Sequence, residues 1–353
     1  MAFRTEWIPF GPAAGVIAAS GRLDFRAQAA VDDALARARA EGARVVALDL
    51  AGLTRADGSG LTVLYRALLA AEGWDLRLAL CGLSAPCASL LRELGFSPRL
   101  PAYPSRARAL GIPERDAQGA EPGCRAGEWA PHLGPARFQG EPPAGFGPRL
   151  VEGLPIQTPF TGFGEVWHKA YEIRLPGAGA SVRRLAEELR THLGELWPDG
   201  ADLWLPGGEV TPGAVGLIRI RLPGGAPLVT GIRILHVGPD TFSFVTLKGH
   251  MQAGWITFRV YTDHGTPVAR VESLARTGDP VHEVGFRLFG HAEQERFWHQ
   301  TLERFAARVG VPGRVTATKT RVEARRRWAA LANLPVNAAL RTPFAALLGG
   351  RKP

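Results

Sequence analysis

The chain has 353 residues, 46% of them hydrophobic, and a formal net charge of +9; its length is sufficient for two domains and a linker. No run of about 18 apolar residues occurs, which excludes a membrane-spanning helix, and the N-terminal residues lack the charged-then-apolar order of an export signal. We therefore expect a cytoplasmic protein. The three cysteines, Cys81, Cys87 and Cys124, are too few and too scattered for a disulfide framework or a zinc site, and we expect neither a metal nor a cofactor.

The net charge belongs almost entirely to the C-terminal segment. From Val311 to the last residue the sequence has nine basic residues and one acidic residue, Glu323, so this segment carries +8 of the total of +9. The rest of the chain is nearly neutral. A charged tail of this kind is weak evidence for nucleic-acid binding, and nucleic acid is therefore not an expected partner.

Residues 1–112 alternate strand-like and helix-like patterns. Short apolar runs predict buried strands at 16–19, 45–48 and 76–81. Apolar residues at helical spacing predict helices over 25–41, 61–71 and 85–94. Strands that alternate with helices of this length predict an α/β domain, a mixed sheet with helices packed on it.

Residues 113–150 lose this periodicity and are dense in proline and glycine, which predicts a linker. A second domain is predicted over 151–312. Its strand-like runs lie at 166–175, 215–222, 228–237, 241–247, 255–263 and 266–276, and its helical patterns at 181–197 and 291–310. Glycine and proline separate the later strands at regular intervals, which predicts an α+β fold: a curved antiparallel sheet around the long last helix.

Residues 313–353 are predicted to form a basic amphipathic tail. A helix is expected over 314–333, with Lys319 and several arginines on it and Trp328 near its end. A basic segment followed by an aromatic residue and leucines is typical of a helix on an anionic membrane surface, so peripheral attachment to the inner membrane is one hypothesis. The other is a helix that packs along the second domain with its arginines in water.

Five ordered pieces of residues 8–112 resemble the STAS family, the module of bacterial anti-sigma-factor antagonists. The pieces are Gly21-Arg22-Leu23-Asp24, Leu48-Asp49-Leu50 with Gly52-Leu53, Asp57-Gly58-Ser59-Gly60-Leu61, Leu76 to Gly82, and Leu90 to Gly95. The resemblance implies a binding module for a protein partner, an anti-sigma or kinase-like regulator. It implies that this partner docks on the surface around Asp57, Ser59 and Leu61, with Asp24 beside it.

The STAS-like sequence departs from the family pattern at its switch position. The phosphorylated serine of the family directly follows the aspartate, whereas Gly58 stands there in this chain and Ser59 comes one residue later. A serine at the start of a helix commonly accepts backbone N–H groups, so we expect Ser59 to cap the helix, with Asp57 as another plausible cap. A phosphate at Ser59 is the alternative, because the helix dipole also favours a negative charge there.

The second domain resembles the helix-grip proteins of the START/SRPBCC group, and within them a bacterial family of unknown function. The residues that carry the resemblance are Phe244, Thr246 to His250, Gly254, Phe258, Ser273 and Arg276. The resemblance implies a cavity between the sheet and the last helix that binds an apolar small molecule or lipid. Candidate lining residues are Phe242, Phe244, His250, Trp255, Phe258, Phe289, Phe297, Trp298 and Phe305. The alternative is that these aromatic side chains only fill a core.

His250 and the histidine pair of the last helix are candidate reactive residues. His250 lies in a turn between two strands, where it is either a general base or, more commonly, a side chain bonded to the backbone. His291, Glu295 and His299 share one face of the last helix. The two histidines are two turns apart, roughly 12 Å, so one metal ion cannot bind both, and a charged helix face is the better interpretation.

These expectations together describe a bacterial, non-enzymatic regulatory or binding protein. Its STAS-like domain docks a protein partner, and its helix-grip domain binds an apolar small molecule or lipid. One alternative is a cyclase- or hydrolase-type enzyme that uses His250. Another is a lipid-trafficking protein at the inner membrane surface.

Overall fold

The computed structural model describes residues 2–112, 128–221 and 227–342. The chain forms two compact units, Met1–Pro131 and His132–Pro353. The second unit thus begins about twenty residues before the domain that the sequence predicts at 151.

The first unit is a five-stranded sheet with four helices. Its strands are β1 (Arg4–Pro9), β2 (Ala14–Leu23), β3 (Val45–Ala56), β4 (Arg77–Cys81) and β5 (Ala102–Tyr103). Its helices are α1 (Gln28–Ala40), α2 (Gly58–Gly73), α3 (Ala85–Glu93) and α4 (Arg106–Leu110). The strands lie in the order β1-β2-β3-β4-β5; β1 pairs antiparallel with β2, and the other pairs are parallel. The predicted α/β domain with a mixed sheet is confirmed.

The apolar pattern of the first unit explains its core. The central strand β3 is buried from Val46 to Leu50, as expected for a parallel strand covered on both faces. The helix α2 is buried along most of its length, from Gly58 to Leu68. Because β3 ends at Ala56 and α2 begins at Gly58, the start of α2 lies at the carboxyl end of β3, directly after Asp57.

Within the described residues, the second unit contains nine strands, eight of them in one continuous antiparallel order, and four α-helices. The strands are β6 (Ile156–Gln157), β7 (Val166–Arg174), β8 (Ala201–Trp204), β9 (Val215–Arg221), β10 (Pro227–Val237), β11 (Thr241–Leu247), β12 (Gln252–Asp263), β13 (Thr266–Thr277) and β14 (Val315–Glu323), of which β6 lies off the main path beside β11. The helices are α5 (Val182–Thr191), α6 (Leu193–Leu196), α7 (Pro280–Gly285) and α8 (His291–Arg308). The main path runs β14-β7-β13-β12-β11-β10-β9-β8.

The core of the second unit lies between one face of this sheet and the helices α5, α6 and α8. Strand residues such as Ile256 and Phe258 meet helix residues such as Leu185, Leu302 and Phe305 there. A single turn of π-helix, Phe286–Gly290, joins α7 to α8. The predicted α+β helix-grip architecture, an antiparallel sheet around a long late helix, is confirmed.

Part of the segment predicted as a linker packs on the second unit. Phe146 and Val151 are buried against Leu217 and Val229. The guanidinium of Arg233 donates hydrogen bonds to backbone carbonyl oxygens of this segment. Residues 113–127 lie outside the described part of the chain, so a linker there stays a prediction.

The helix expected over 314–333 is wrong. Residues Val315–Glu323 form the edge strand β14, which pairs antiparallel with β7, and a 3-10 segment covers Trp328–Val336. Threonine occupies every second position from 316 to 320, with valine near each end, and β-branched residues favour a strand over a helix. The part of the predicted tail from residue 343 onward lies outside the described residues.

Candidate functional site

The start of α2 is capped by Asp57 and not by Ser59. The Asp57 carboxylate accepts the Ser59 backbone N–H at 2.9 Å and the Ser59 hydroxyl at 2.6 Å. The Ser59 hydroxyl oxygen in turn accepts the backbone N–H of Phe25 at 2.9 Å. The expectation that Ser59 caps the helix is therefore wrong, because Ser59 already lies inside the first turn. Its hydroxyl instead ties the helix start to the end of β2.

Arginines surround the two buried aspartates near this helix start. Arg22 reaches Asp57 and Asp24, each at 3.3 Å, and Arg26 pairs with Asp24 at 2.9 Å. Asp24 also accepts the backbone N–H of Arg26. Buried carboxylates require such partners, because an unpaired charge away from water is costly.

The predicted docking residues lie together, but their side chains are buried. Asp24, Asp57, Ser59 and Leu61 are each less than 5% exposed. Gly60 belongs to the same turn, where an added Cβ would lie 2.6 Å from a backbone carbonyl oxygen of β2. The glycine is thus required by the close approach of α2 to β2, and the four predicted residues fix the shape of this end of the domain.

The aromatic residues predicted to line a cavity pack against one another. Phe242 stacks on Phe258 with ring centroids 4.7 Å apart, and Phe244 and Trp298 lie 5.5 and 5.6 Å from the same ring. Phe305 is fully buried in the same core. These side chains fill the space between the sheet and α8, as a packed core does.

The remaining predicted lining residues are dispersed. Phe297 is partly buried and packs on Trp197 at 5.2 Å. Trp255 alternates with the core residues Ile256 and Phe258 along β12, so it lies on the opposite face of the sheet. The side chain of Phe289 lies outside the described part of the chain.

His250 is a buried turn residue. Its Nδ1 lies 2.9 Å from the backbone nitrogen and 3.1 Å from the backbone oxygen of Gln252, so the ring is held by the backbone of the turn. Burial, followed by the charge of His282, lowers the pKa of His250 to about 4. A ring held in this way is a weak base at neutral pH and supports the turn interpretation.

A pocket opens at one end of the second unit, between the sheet and the segment that joins α7 to α8. Its cavity volume is about 30 Å³, and the space is about 400 Å³ when the open mouth is included. Strands β7, β12 and β13 form its floor, and the residues around it are Glu165, Trp167, Lys169, Gln252, Ser273, Ala275, Arg276, Thr277, Glu283, Phe286, Arg287 and His291. Two aromatic rings and several charged groups thus meet in one small cleft whose lining is mostly polar.

Lys169 and Arg276 are the two buried charged residues of this pocket, with 2% and 1% of their surfaces exposed, and Arg276 pairs with Glu323. The Lys169 ammonium group donates to Nδ1 of His291 at 3.0 Å and to the side-chain oxygen of Gln294 at 2.5 Å. Gln294 is held in turn by a hydrogen bond of 2.8 Å to Gln252. Burial, and then the positive charge of Lys319, lower the pKa of Lys169 from 10.5 to about 8. Burial likewise lowers the pKa of His291, and the charge of Lys169 adds to this effect.

Lys169 was not singled out from the sequence, although a signal was available. The alternating strand Val166–Arg174 places Trp167, Lys169 and Tyr171 on one face. A lysine between two aromatic residues on the inward face of a strand conflicts with the usual burial of apolar residues there. A charged residue at a position where the strand pattern calls for an apolar one marks a candidate functional site.

The described part of the chain shows no group of three or more histidine, cysteine, aspartate or glutamate residues arranged to hold a metal ion. Of the histidine face on α8, His291 bonds to Lys169 and Glu295 pairs with Lys319. Within the same residues, none of the helices is both long and apolar enough to cross a bilayer.

Comparison with known proteins identifies the first unit. Residues 8–100 match a family model described as the Mlab STAS domain, which confirms the resemblance of this part of the chain. The search of curated proteins found no match.

Solved structures resemble the two units separately. An anti-sigma factor antagonist from Mycobacterium paratuberculosis is 18% identical, with coverage of 31% of this chain and 92% of its own and a TM-score of 0.28. Protein Ms6760 from Mycobacterium smegmatis is 14% identical, with coverage of 40% and 90% and a TM-score of 0.31. The di-domain ARO/CYC protein StfQ of the steffimycin biosynthetic pathway is 14% identical, with coverage of 42% and 53% and a TM-score of 0.33. Likenesses this distant carry no argument about activity.

Proposed function

We propose that this chain is a non-enzymatic regulatory protein in which the STAS domain docks a protein regulator and the second unit binds a small molecule. The observation that carries the proposal is the match of residues 8–100 to the STAS family, together with the fixed turn from Asp57 to Leu61. The pocket beside Lys169 supports the second half of the proposal.

The docking surface is assigned to the carboxyl end of β3 and the start of α2. Asp24, Asp57, Ser59 and Leu61 are buried, so in this proposal they shape the surface, and exposed neighbours such as Thr54 make the contacts. The partner we expect is an anti-sigma or kinase-like regulator, the class that the STAS resemblance implies.

Site-specific photocrosslinking in the native host tests this assignment. A photoreactive phenylalanine derivative at Thr54 is expected to capture a regulator of this class. The matched control is the same residue at Ala40, which is exposed at the end of α1, near the opposite end of β3. A product from Thr54 and not from Ala40 supports the proposal. Identical products from both positions, or none from Thr54, contradict it.

Ser59 is part of this proposal as a structural residue and not as a switch. A phosphate on its hydroxyl would place two or nearly two negative charges beside the Asp57 carboxylate, which now accepts that hydroxyl at 2.6 Å. Like charges at this distance repel strongly. Intact-mass analysis of protein purified from the host is expected to find Ser59 unmodified, and a phosphorylated peptide that contains Ser59 would overturn this part.

Attachment to an anionic membrane is a second candidate function, favoured by an exposed apolar pair beside arginines. Trp328 and Leu331 are 66% and 46% exposed, and Arg325 and Arg326 directly precede them. Such a patch suits the headgroup surface of an anionic membrane. Cosedimentation with vesicles that contain anionic lipid tests this, with Arg325→Glu as the variant. Binding that is absent, or that the variant does not weaken, contradicts attachment.

A further inference from the structure

The pocket of the second unit contains a positive charge with no direct acidic partner, because Glu295, whose charge acts on Lys169, pairs with Lys319. Among the described residues, no carboxylate oxygen lies within 4 Å of the Lys169 ammonium group, and its two hydrogen-bond partners, His291 and Gln294, are neutral groups. A buried ammonium group is costly unless an opposite charge accompanies it.

The other charged groups around the pocket are paired. Glu283 accepts hydrogen bonds from Thr277 and Arg287, each at 2.8 Å. Glu165 lies 3.5 Å from Arg321, and Arg276 pairs with Glu323. Lys169 is therefore the lining charge that lacks a directly paired counter-ion within the described residues.

The walls beside this charge are aromatic. The His291 ring stands edge-on between Trp167 and Phe286, with centroids 5.6 and 5.0 Å away. The Lys169 ammonium lies 5.3 Å from the centre of the Phe286 ring. Flat rings around a cation favour a ligand with a flat apolar body and one negative end.

We propose that the pocket binds a small aromatic carboxylate, with Lys169 as the anchor for the carboxylate group and the rings of Trp167 and Phe286 on its body. This assignment rests on the proposed small-molecule role of the second unit and names its ligand class. Lys169 donates to the ligand oxygen, and Gln294 and His291 hold the ammonium group in place.

Ligand-detected NMR titration of the full chain at pH 7 tests the charge requirement with three probes of one shape: benzoate, benzyl alcohol and benzylammonium. Benzoate is expected to bind at least about tenfold more tightly than either of the others, since a hydrogen bond between charged groups is worth about this factor or more. Lys169→Met is expected to lose this preference, whereas Lys169→Arg keeps the charge and retains it. The matched control Lys248→Met removes a lysine that does not line this pocket and leaves benzoate binding unchanged.

The outcomes separate the two levels of the proposal. If benzoate and benzyl alcohol bind equally well, and Lys169→Met and Lys169→Arg both retain this binding, the carboxylate assignment is overturned. The second unit would then keep a role in binding neutral ligands. Binding of none of the three probes overturns the assignment of this pocket as a site for small aromatic molecules. Neither result bears on the protein docking proposed for the STAS domain, which photocrosslinking tests separately.

Discussion

Replacing Lys169 by methionine removes a buried positive charge, and the effect on stability depends on pH in a way that the structure fixes. In the folded protein the pKa of Lys169 is about 8, against 10.5 for the unperturbed group. Between these two values the unfolded chain binds the proton and the folded chain does not. Stability therefore rises with pH across this window, and the cost of the buried charge is fully present below pH 8.

The size of this effect follows from the shift. A difference of about 2.5 pKa units corresponds to about 3 kcal/mol at 1.36 kcal/mol for each unit, and the low exposure of Lys169 means that solvent screens little of it. The methionine variant also leaves His291 and Gln294 without their donor, at a cost of about 1–3 kcal/mol that is independent of this titration. The net effect at pH 7 is consequently small, and the change with pH is the informative quantity.

Urea unfolding followed by tryptophan fluorescence, from pH 7 to pH 10.5, measures this quantity. The free energy of unfolding of the wild-type chain minus that of Lys169→Met is expected to rise by about 3 kcal/mol over the range. Titrating groups that do not interact with Lys169 contribute equally to both proteins and cancel. A difference that stays constant with pH would refute the reasoning, because it would mean that the Lys169 ammonium group is not destabilised in the folded state.

Two further predictions concern the start of α2, and urea unfolding measures both. Ser59→Ala removes the acceptor of the Phe25 amide and is expected to cost about 1–3 kcal/mol; an unchanged stability would contradict these hydrogen bonds. Gly60→Ala is expected to cost about 1–3 kcal/mol, because the new Cβ would lie 2.6 Å from the Leu23 carbonyl oxygen. Gly73→Ala, at the open end of the same helix, is expected to be neutral or stabilising by up to about 1 kcal/mol, and equal effects at both positions would disprove the clash.

The sequence predicted the architecture well where one face of an element is buried. The alternation in Val166–Arg174 and the helical spacing in His291–Arg308 both lie on elements that cover the core, so their patterns report burial directly. The prediction was wrong for β14, whose side chains are mostly exposed, because an edge strand in water carries little hydrophobic signal. Residues 315–323 form a strand because they pair with the edge of β7, which lies far away in the sequence. The spacing of apolar residues within the segment cannot show such a long-range pairing.

The site was less predictable than the fold, for reasons that particular residues illustrate. The motif Asp57–Leu61 located the helix start, but local sequence did not reveal that the Ser59 hydroxyl would accept the amide of Phe25, 34 positions away. The aromatic set around Phe258 predicted a cavity that its own side chains fill. Lys169 became a candidate only when the fold brought His291 and Gln294 to its ammonium group.

Protonation of Lys169, with and without a carboxylate ligand, tests the central claim about the pocket most directly. The chain has four lysines, so selective ¹³C labelling of lysine gives a simple NMR spectrum in which Lys169→Met identifies the Lys169 signal. We predict that this signal titrates near pH 8 in the free protein and that saturating benzoate raises its pKa by about one unit or more, because a bound carboxylate stabilises the ammonium form. A Lys169 signal that titrates at the ordinary pKa of lysine, or that benzoate does not move, would contradict the account.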